Sequence, residues 1–139
     1  MQFYTLGYTG KQPEEIKQIA EELDAIIVDA RYSVSSRVPH WEGVALKTLL
    51  GSRYIWLNSL GNCNYQKQYG EGIMITDFQK GKSELEKLTK PFILLCACEK
   101  YQTCHRRKVT EMLQDYNFTY MGEAQINNND SQLALFKRK

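Results

Sequence analysis

The stretch FILLCAC, Phe92–Cys98, decides the fold class of this 139-residue chain. It is a short, nearly continuous apolar run, and such runs are typical of strands that are covered on both faces of a parallel sheet. Three further segments have the same texture and are bounded by turn residues: Phe3–Tyr8, Ala25–Arg31 and Tyr54–Leu60. The sequence therefore predicts a sheet built from these segments.

Helical patterns separate the apolar segments. The first, PEEIKQIAEEL, has Pro13 at its first helical position, and two glutamates follow in the first turn, where the helix dipole favours negative charge. The second pattern ends in Gly51, a residue that readily caps helices, and the third begins at Thr76 or Asp77. The fourth begins after Thr103 as its cap and carries an apolar stripe.

This alternation of strands and helices predicts an α/β fold. We expect one three-layer domain over residues 1–139, with a mostly parallel sheet flanked by helices. The C-terminal strings FTYMGEAQ and LALFKRK flank INNND and predict edge strands or a hairpin.

Composition and charge narrow the class of protein. Hydrophobic content of 42% is ordinary for a soluble globular protein, and a net charge of +2 is too small to indicate nucleic-acid binding by itself. The N-terminal string MQFYTLGYTG lacks the pattern of a signal peptide, and no apolar run approaches the ~20 residues that span a bilayer. We therefore expect no membrane partner and a cytoplasmic location, where cysteines are more often thiols, metal ligands or catalytic groups than structural disulfides.

The chemically richest loop connects the fourth apolar segment to the fourth helix. Cys104, His105 and Arg106 stand at the start of that helix, where free backbone N–H groups attract anions and lower the pKa of a thiol. Cys96 and Cys98 point to the same face of the preceding strand, because side chains alternate. We predict a catalytic site in which Cys96 and Cys104 form a thiol pair and His105 carries a proton.

Loops at the carboxyl ends of the other strands add charged side chains to the same edge of the sheet. Asp29 ends the second strand, and we predict that it takes part in catalysis by orienting a guanidinium. The guanidiniums of Arg31, Arg37 and Arg106, together with Tyr8 from the first loop, predict a clamp for an anion.

The cysteines leave two other interpretations open. Cysteine is often a small, buried core residue. With Cys63, the pattern Cys-x-Cys-x5-Cys-His also supplies enough donors for a tetrahedral zinc ion, although its spacing is not that of a standard zinc knuckle. Motifs for a P-loop, a dinucleotide or a Cys-x5-Arg phosphatase are absent from the sequence. We predict no cofactor and no metal ligands, with zinc as the alternative.

Five short strings follow one another in the order TLGYT, VDAR with SSR, SLGN, ITDFQKG, and LLCACE with CHRRKV. On these strings the chain resembles, from about Tyr4 to about Gly122, the uncharacterised family catalogued as domain of unknown function 488. The resemblance implies an α/β domain whose motifs meet in a cluster like an active site, with Cys96 and the Cys-His-Arg triplet as its most specific part. It implies no particular reaction, and Cys98 stands where relatives often have an acidic residue.

The sequence thus favours an enzyme-like domain that binds an anionic, phosphate-bearing ligand, such as a nucleotide or a nucleic acid. The ligand would lie at a Cys/His/Arg site at the carboxyl edge of the sheet. The alternative is a non-catalytic module that binds nucleic acid or a partner and has structural or zinc-bound cysteines. Neither the reaction nor the oligomeric state is predicted.

Overall fold

The computed structural model describes residues 1–98 and 100–125. Five strands form one sheet: β1 (Gln2–Gly7), β2 (Ile26–Asp29), β3 (Tyr54–Trp56), β4 (Phe92–Cys96) and β5 (Thr119–Glu123). All of its strand pairs are parallel, and the order across the sheet is β3-β2-β4-β1-β5. The predicted α/β fold with a parallel sheet is confirmed.

Four helices connect the strands: α1 (Pro13–Leu23), α2 (Gly43–Leu50), α3 (Phe78–Glu86) and α4 (His105–Leu113). Several helix ends lie where the sequence predicts them. Pro13 begins α1, and the carboxylate of Asp77 accepts a hydrogen bond from the backbone N–H of Lys80 at the start of α3. Gly51 follows α2 with a φ of 59°, a conformation that glycine adopts most easily.

The helices cover both faces of the sheet. Ile93 and Leu95 of β4 pack in the cluster formed with α1 and α2, whereas Phe92 and Leu94 pack with α3 and α4. This division follows from the alternation of side chains along a strand. Every residue of β4 is buried, as expected for a central strand in a parallel sheet with two helical layers.

The path of the chain opens a crevice at the carboxyl end of β4. The two neighbours of β4 in the sheet, β1 and β2, lead into α1 and α2 on one face, while β4 leads into α4 on the opposite face. Ligand sites in open α/β sheets form where neighbouring connections separate in this way. The fold therefore places the segment after Cys96 at the natural position for a site.

Three predicted strands are longer than the observed ones. The predicted second strand, Ala25–Arg31, exceeds β2 because Arg31 turns back to bind Asp29 instead of continuing in the sheet. The predicted third strand, Tyr54–Leu60, exceeds β3 because the chain turns into a short 3₁₀ helix at Asn58–Leu60, which packs beneath α3.

The fourth strand, predicted as Phe92–Cys98, ends two residues earlier, at Cys96. Beyond it, the carbonyl of Ala97 accepts a hydrogen bond from the hydroxyl of Thr9, and the carbonyl of Cys98 accepts one from the Arg106 side chain at 2.9 Å. Side chains thus replace the backbone partners that a longer strand would need. Cys98 is exposed, whereas Cys96 is buried.

The fourth helix begins later than predicted, and the prediction of Thr103 as its cap is wrong. Residues Tyr101–Thr103 form a separate 3₁₀ turn, closed by a hydrogen bond of 3.1 Å from the backbone N–H of Cys104 to the carbonyl of Tyr101. Cys104 therefore has an extended backbone and occupies the N-cap position, and His105 is the first helical residue.

The C-terminal prediction is confirmed as far as the structure describes it. β5 pairs in parallel with β1 and is an edge strand of the sheet. The string LALFKRK lies outside the described residues. Within residues 1–98 and 100–125, no helix is long and apolar enough to cross a lipid bilayer.

Candidate active site

Two thiols touch at the carboxyl end of the central strand. Cys96 is the last residue of β4 and Cys104 caps α4, and their Sγ atoms lie 2.6 Å apart. This distance is longer than an S–S bond of about 2.05 Å but shorter than the usual separation of two non-bonded sulfur atoms, so the two cysteines are unbonded and held closer than ordinary contact. Each side chain is 1% exposed. We refer to Cys96 and Cys104 as the dithiol pair.

A buried guanidinium lies against the dithiol pair. Nη1 of Arg106 lies 3.2 Å from Sγ of Cys96 and donates to the carbonyl of Cys98. Nε and Nη2 of Arg106 donate to the two carboxylate oxygens of Glu123 at 3.1 and 2.7 Å. This bidentate pair of hydrogen bonds fixes the plane of the guanidinium. It therefore also fixes the position of a positive charge next to the sulfur atoms.

His105 lies on the other side of the dithiol pair. Its Nδ1 is 3.8 Å from Sγ of Cys104, and its Nε2 is 2.7 Å from the carbonyl oxygen of Ala30. A carbonyl only accepts hydrogen bonds, so Nε2 carries a hydrogen. Nδ1 then faces Cys104 either as an acceptor for its thiol hydrogen or, when the ring is charged, as a donor to its thiolate.

These contacts shift the pKa values of Cys104 and Cys96 in opposite directions. The hydrogen bond from Cys96, assisted by Cys98 and His105, lowers the pKa of Cys104, and the same contact raises the pKa of Cys96 well above its ordinary value. Burial disfavours a charged His105, but its hydrogen bonds with Cys104 and Cys98 outweigh burial and raise its pKa to about 9. These shifts favour a Cys104 thiolate beside a Cys96 thiol and a His105 imidazolium.

Cys96, Cys104 and His105 supply three donor atoms that lie within 4.8 Å of one another. Three cysteine and histidine ligands are a set that a catalytic zinc ion takes. Zn–S bonds of about 2.3 Å in tetrahedral geometry hold two sulfurs about 3.8 Å apart. The observed 2.6 Å is far shorter, and the positive charge of Arg106 lies 3.2 Å from one of the sulfurs. As arranged, the three side chains fit a pair of interacting thiols better than a metal ion.

A second buried cluster surrounds Arg31. Nε and Nη2 of Arg31 donate to the carboxylate of Asp29 at 2.8 and 2.7 Å, and Nη1 donates to the hydroxyl of Tyr8 and the carbonyl of Trp41. The hydroxyl of Tyr54 donates to the same carboxylate. Both charges of this pair are buried and neutralise each other.

A cavity of about 420 Å³ lies between the two clusters, and Arg31, Cys98 and His105 all line it. The dithiol pair lies behind this wall. Other parts of the lining carry aromatic and neutral polar side chains, among them Tyr8, Tyr32, Tyr65, Ser33 and Asn62. Polar and aromatic side chains around a concave space of this size are typical of small-molecule sites.

The structure brings most of the predicted site residues to one edge of the sheet. Around the dithiol pair are His105 and Arg106, and across the cavity are Asp29, Arg31 and Tyr8. Asp29 holds the Arg31 guanidinium, while its direct part in catalysis stays a prediction.

Arg37 is not brought to this site. It is exposed and does not line the cavity, because the chain around it forms a tight turn in which the backbone N–H of Ser36 donates to the Glu42 carboxylate. The structure therefore does not form the predicted clamp of three guanidiniums. Arg31 and Arg106 each bind a carboxylate instead, and anion binding by these side chains stays a prediction.

Three contributors to the site were not predicted from the sequence. Glu123 orients Arg106, and the carbonyl of Ala30 sets the tautomer of His105. Gly7 allows the segment after β4 to pass close to β1, because a Cβ at Gly7 would lie 1.7 Å from the carbonyl oxygen of Cys98. A buried arginine does predict that some carboxylate is near, but it does not indicate which one.

Comparisons with protein-family models, with curated proteins and with solved structures find no match for this chain. Any function assigned to the chain therefore has to come from its own sequence and geometry.

Proposed function

We propose that the protein is a thiol–disulfide oxidoreductase whose dithiol pair cycles between two thiols and a disulfide. The observation that carries this proposal is the 2.6 Å contact between Cys96 Sγ and Cys104 Sγ, which lies between the Arg106 guanidinium and the His105 ring. Two thiols that already touch need only a small movement to reach bonding distance.

The net reaction balances with a disulfide as the substrate. One S–S bond of the substrate breaks and one S–S bond forms between Cys96 and Cys104, so two electrons pass from the protein to the substrate. Two thiols are released, and their two protons come from the Cys96 thiol and the His105 imidazolium. The reverse reaction reduces the protein.

The opposite pKa shifts of the two thiols suit this chemistry. Exchange requires one thiolate, which Cys104 supplies, and a second thiol that completes the disulfide, which Cys96 supplies. Arg106 stabilises negative charge on either sulfur, because its guanidinium is held next to the pair by Glu123.

Membership of the family of domain of unknown function 488 and a cytoplasmic location are parts of this proposal. A reducing compartment keeps the pair as thiols, and disulfides in such proteins are usually transient and catalytic or redox-sensing. The sequence motifs alone support the family.

The phosphate-bearing ligand is a weaker proposal than the redox reaction. Both buried arginines of the site already bind carboxylates, so neither brings a free positive charge to a phosphate. The non-catalytic nucleic-acid or partner-binding module also stays a proposal, supported only by the exposed rings of Tyr32 and Tyr65 at the cavity.

Turnover with hydroxyethyl disulfide as the substrate and glutathione as the reductant tests the proposed function. The wild-type protein should raise the rate above that of glutathione alone. Cys104→Ser should remove the added rate and Cys96→Ser should lower it, because each deletes one sulfur of the pair. Cys63→Ser is the matched control, since it removes a free thiol outside the site.

Two results would contradict the proposed function. One is a wild-type protein that does not accelerate the exchange. The other is full activity in the Cys96→Ser or Cys104→Ser variant.

A further inference from the structure

We propose that Cys98 is the thiol that meets the substrate and that it passes the disulfide inward, first to Cys104 and then to Cys96. This inference rests on the proposed function, and it assigns a role to a third cysteine. It also resolves a difficulty of access, since both members of the dithiol pair are sealed from solvent.

The three thiols differ in access. Cys98 is exposed and lines the cavity, whereas Cys96 and Cys104 are each 1% exposed and do not line it. A substrate bound in the cavity therefore reaches the sulfur of Cys98 and the ring of His105 before it reaches either buried sulfur.

Cys98 also reaches the buried sulfurs. Its side chain lines the cavity beside His105, whose Nδ1 lies 3.8 Å from Cys104 Sγ, and Arg106 Nη1 contacts both the Cys98 carbonyl and Cys96 Sγ. Cys98 also contributes to the pKa shifts of Cys96, Cys104 and His105. Neighbouring thiols can exchange a disulfide after side-chain rotations. Cys98 thus bridges the cavity and the dithiol pair.

The backbone holds Cys98 in this position. Arg106 Nη1 donates to the Cys98 carbonyl at 2.9 Å, and the Thr9 hydroxyl donates to the preceding carbonyl of Ala97. The segment lies so close to Gly7 that no Cβ fits between them. The same guanidinium contacts Cys96, so one side chain links the backbone of Cys98 to the buried pair.

Each step of the relay exchanges one S–S bond for another. Cys98 attacks a substrate sulfur as its proton passes to the substrate sulfur that leaves, which releases the first substrate thiol and leaves a mixed disulfide on Cys98. The Cys104 thiolate then attacks Cys98 Sγ, forms a Cys98–Cys104 disulfide and releases the second substrate thiolate. Finally Cys96 attacks Cys104 Sγ as its proton passes to the leaving Cys98 sulfur, which returns Cys98 as a thiol.

His105 serves the relay at the cavity wall. Its charged ring lies next to Cys104 and also lines the cavity, so it can deliver a proton to a substrate thiolate as that group leaves. With the proton of Cys96, this supplies both protons that the two released thiols require.

The experiment follows single-turnover oxidation of the full chain by one equivalent of dithiodipyridine, whose aromatic rings suit the tyrosine-lined cavity. Rapid acid quenching and peptide mapping identify each disulfide. Compared with Cys63→Ser, the Cys98→Ser variant should form the Cys96–Cys104 disulfide more slowly by a factor on the order of 100, because it loses the preorganised intramolecular steps. The Cys96→Ser variant should stop at a Cys98–Cys104 disulfide.

The relay is overturned if Cys98→Ser forms the Cys96–Cys104 disulfide as fast as Cys63→Ser does. It is also overturned if the Cys96→Ser variant carries the pyridine group directly on Cys104. Failure of the proposed function looks different, since the wild-type protein would then form no Cys96–Cys104 disulfide at all. Circular dichroism of each variant establishes that the fold is intact.

Discussion

Arg106 of α4 and Glu123 of β5 are joined by two parallel hydrogen bonds of 3.1 and 2.7 Å. The guanidinium is fully buried, whereas the carboxylate is 40% exposed. The pair therefore ties an edge strand to the helix that carries the site, and it holds a positive charge against Cys96. The position of this charge depends on a residue far from the Cys-His-Arg triplet in the sequence.

Glu123→Gln should lower the free energy of unfolding by about 1–3 kcal/mol, because it leaves the buried Arg106 charge with a neutral partner. Chemical denaturation measures this loss. Glu111→Gln is the matched control, since Glu111 pairs with Arg107 on the exposed side of the same helix and its loss should not change stability measurably. Equal effects of the two substitutions would contradict the structural role of Glu123.

Asp29→Asn should be more damaging, with an expected loss of about 3–5 kcal/mol, because it leaves the buried Arg31 without its counter-charge. Thermal and chemical denaturation measure the effect. The exposed pair of Lys67 and Glu71 supplies the comparison: Glu71→Gln should leave the unfolding transition unchanged. A stable Asp29→Asn protein would show that Asp29 does not anchor Arg31.

The protonation of His105 reports directly on the Cys104 thiolate. The chain has two histidines, and NMR titration should give His105 a pKa of about 9 in the wild type, with the exposed His40 as an internal reference. Cys104→Ser removes the main interaction that offsets the burial of the His105 ring, so the pKa of His105 should be clearly lower. An unchanged titration in this variant would contradict the ion pair.

His105 and Cys104 also determine how the free energy of unfolding depends on pH. The pKa of His105 is raised, so its contribution is complete below its ordinary 6.5 and is lost as the pH rises through about 9. The pKa of Cys104 is lowered, so its contribution is complete above its ordinary 9.0 and shrinks as the pH falls. Between pH 6.5 and 9.0 the two slopes cancel, and below pH 6.5 the free energy of unfolding should fall.

Metal removal should have no effect on the protein. The short distance between the sulfurs and the guanidinium of Arg106 beside them suit two thiols better than zinc ligands, so we expect a chelator to leave both the melting temperature and the rate of disulfide exchange unchanged. Elemental analysis of protein purified without chelator provides a second measurement. Stoichiometric zinc, with a lower melting temperature after chelation, would favour a metal site at Cys96, Cys104 and His105.

The fold could be predicted because its determinants are local. An apolar run such as the one that forms β4 identifies a strand buried on both faces, and Pro13 and Asp77 mark helix starts through their own backbone chemistry. The strand ends could not be predicted in this way. The Thr9 hydroxyl and the Arg106 side chain, which come from other elements, end β4 by taking the next two carbonyls.

The site was predictable where chain neighbours form it. Cys96 and Cys104 come together because a central strand leads directly into the helix that Cys104 caps. Their distant partners were not predictable, since nothing in the sequence pairs Glu123 with Arg106. Arg37 shows the opposite error, because its charge indicated an anion site while a local turn directs it to solvent.

Peptide mapping of the oxidised protein tests the dithiol pair most directly. Reduced wild-type protein is treated with one equivalent of hydroxyethyl disulfide, free thiols are blocked in acid, and the disulfide-linked peptides are identified by mass spectrometry. The 2.6 Å contact predicts a single intramolecular disulfide between Cys96 and Cys104, with Cys63 and Cys98 recovered as thiols. Recovery of Cys96 and Cys104 as unlinked thiols would contradict it.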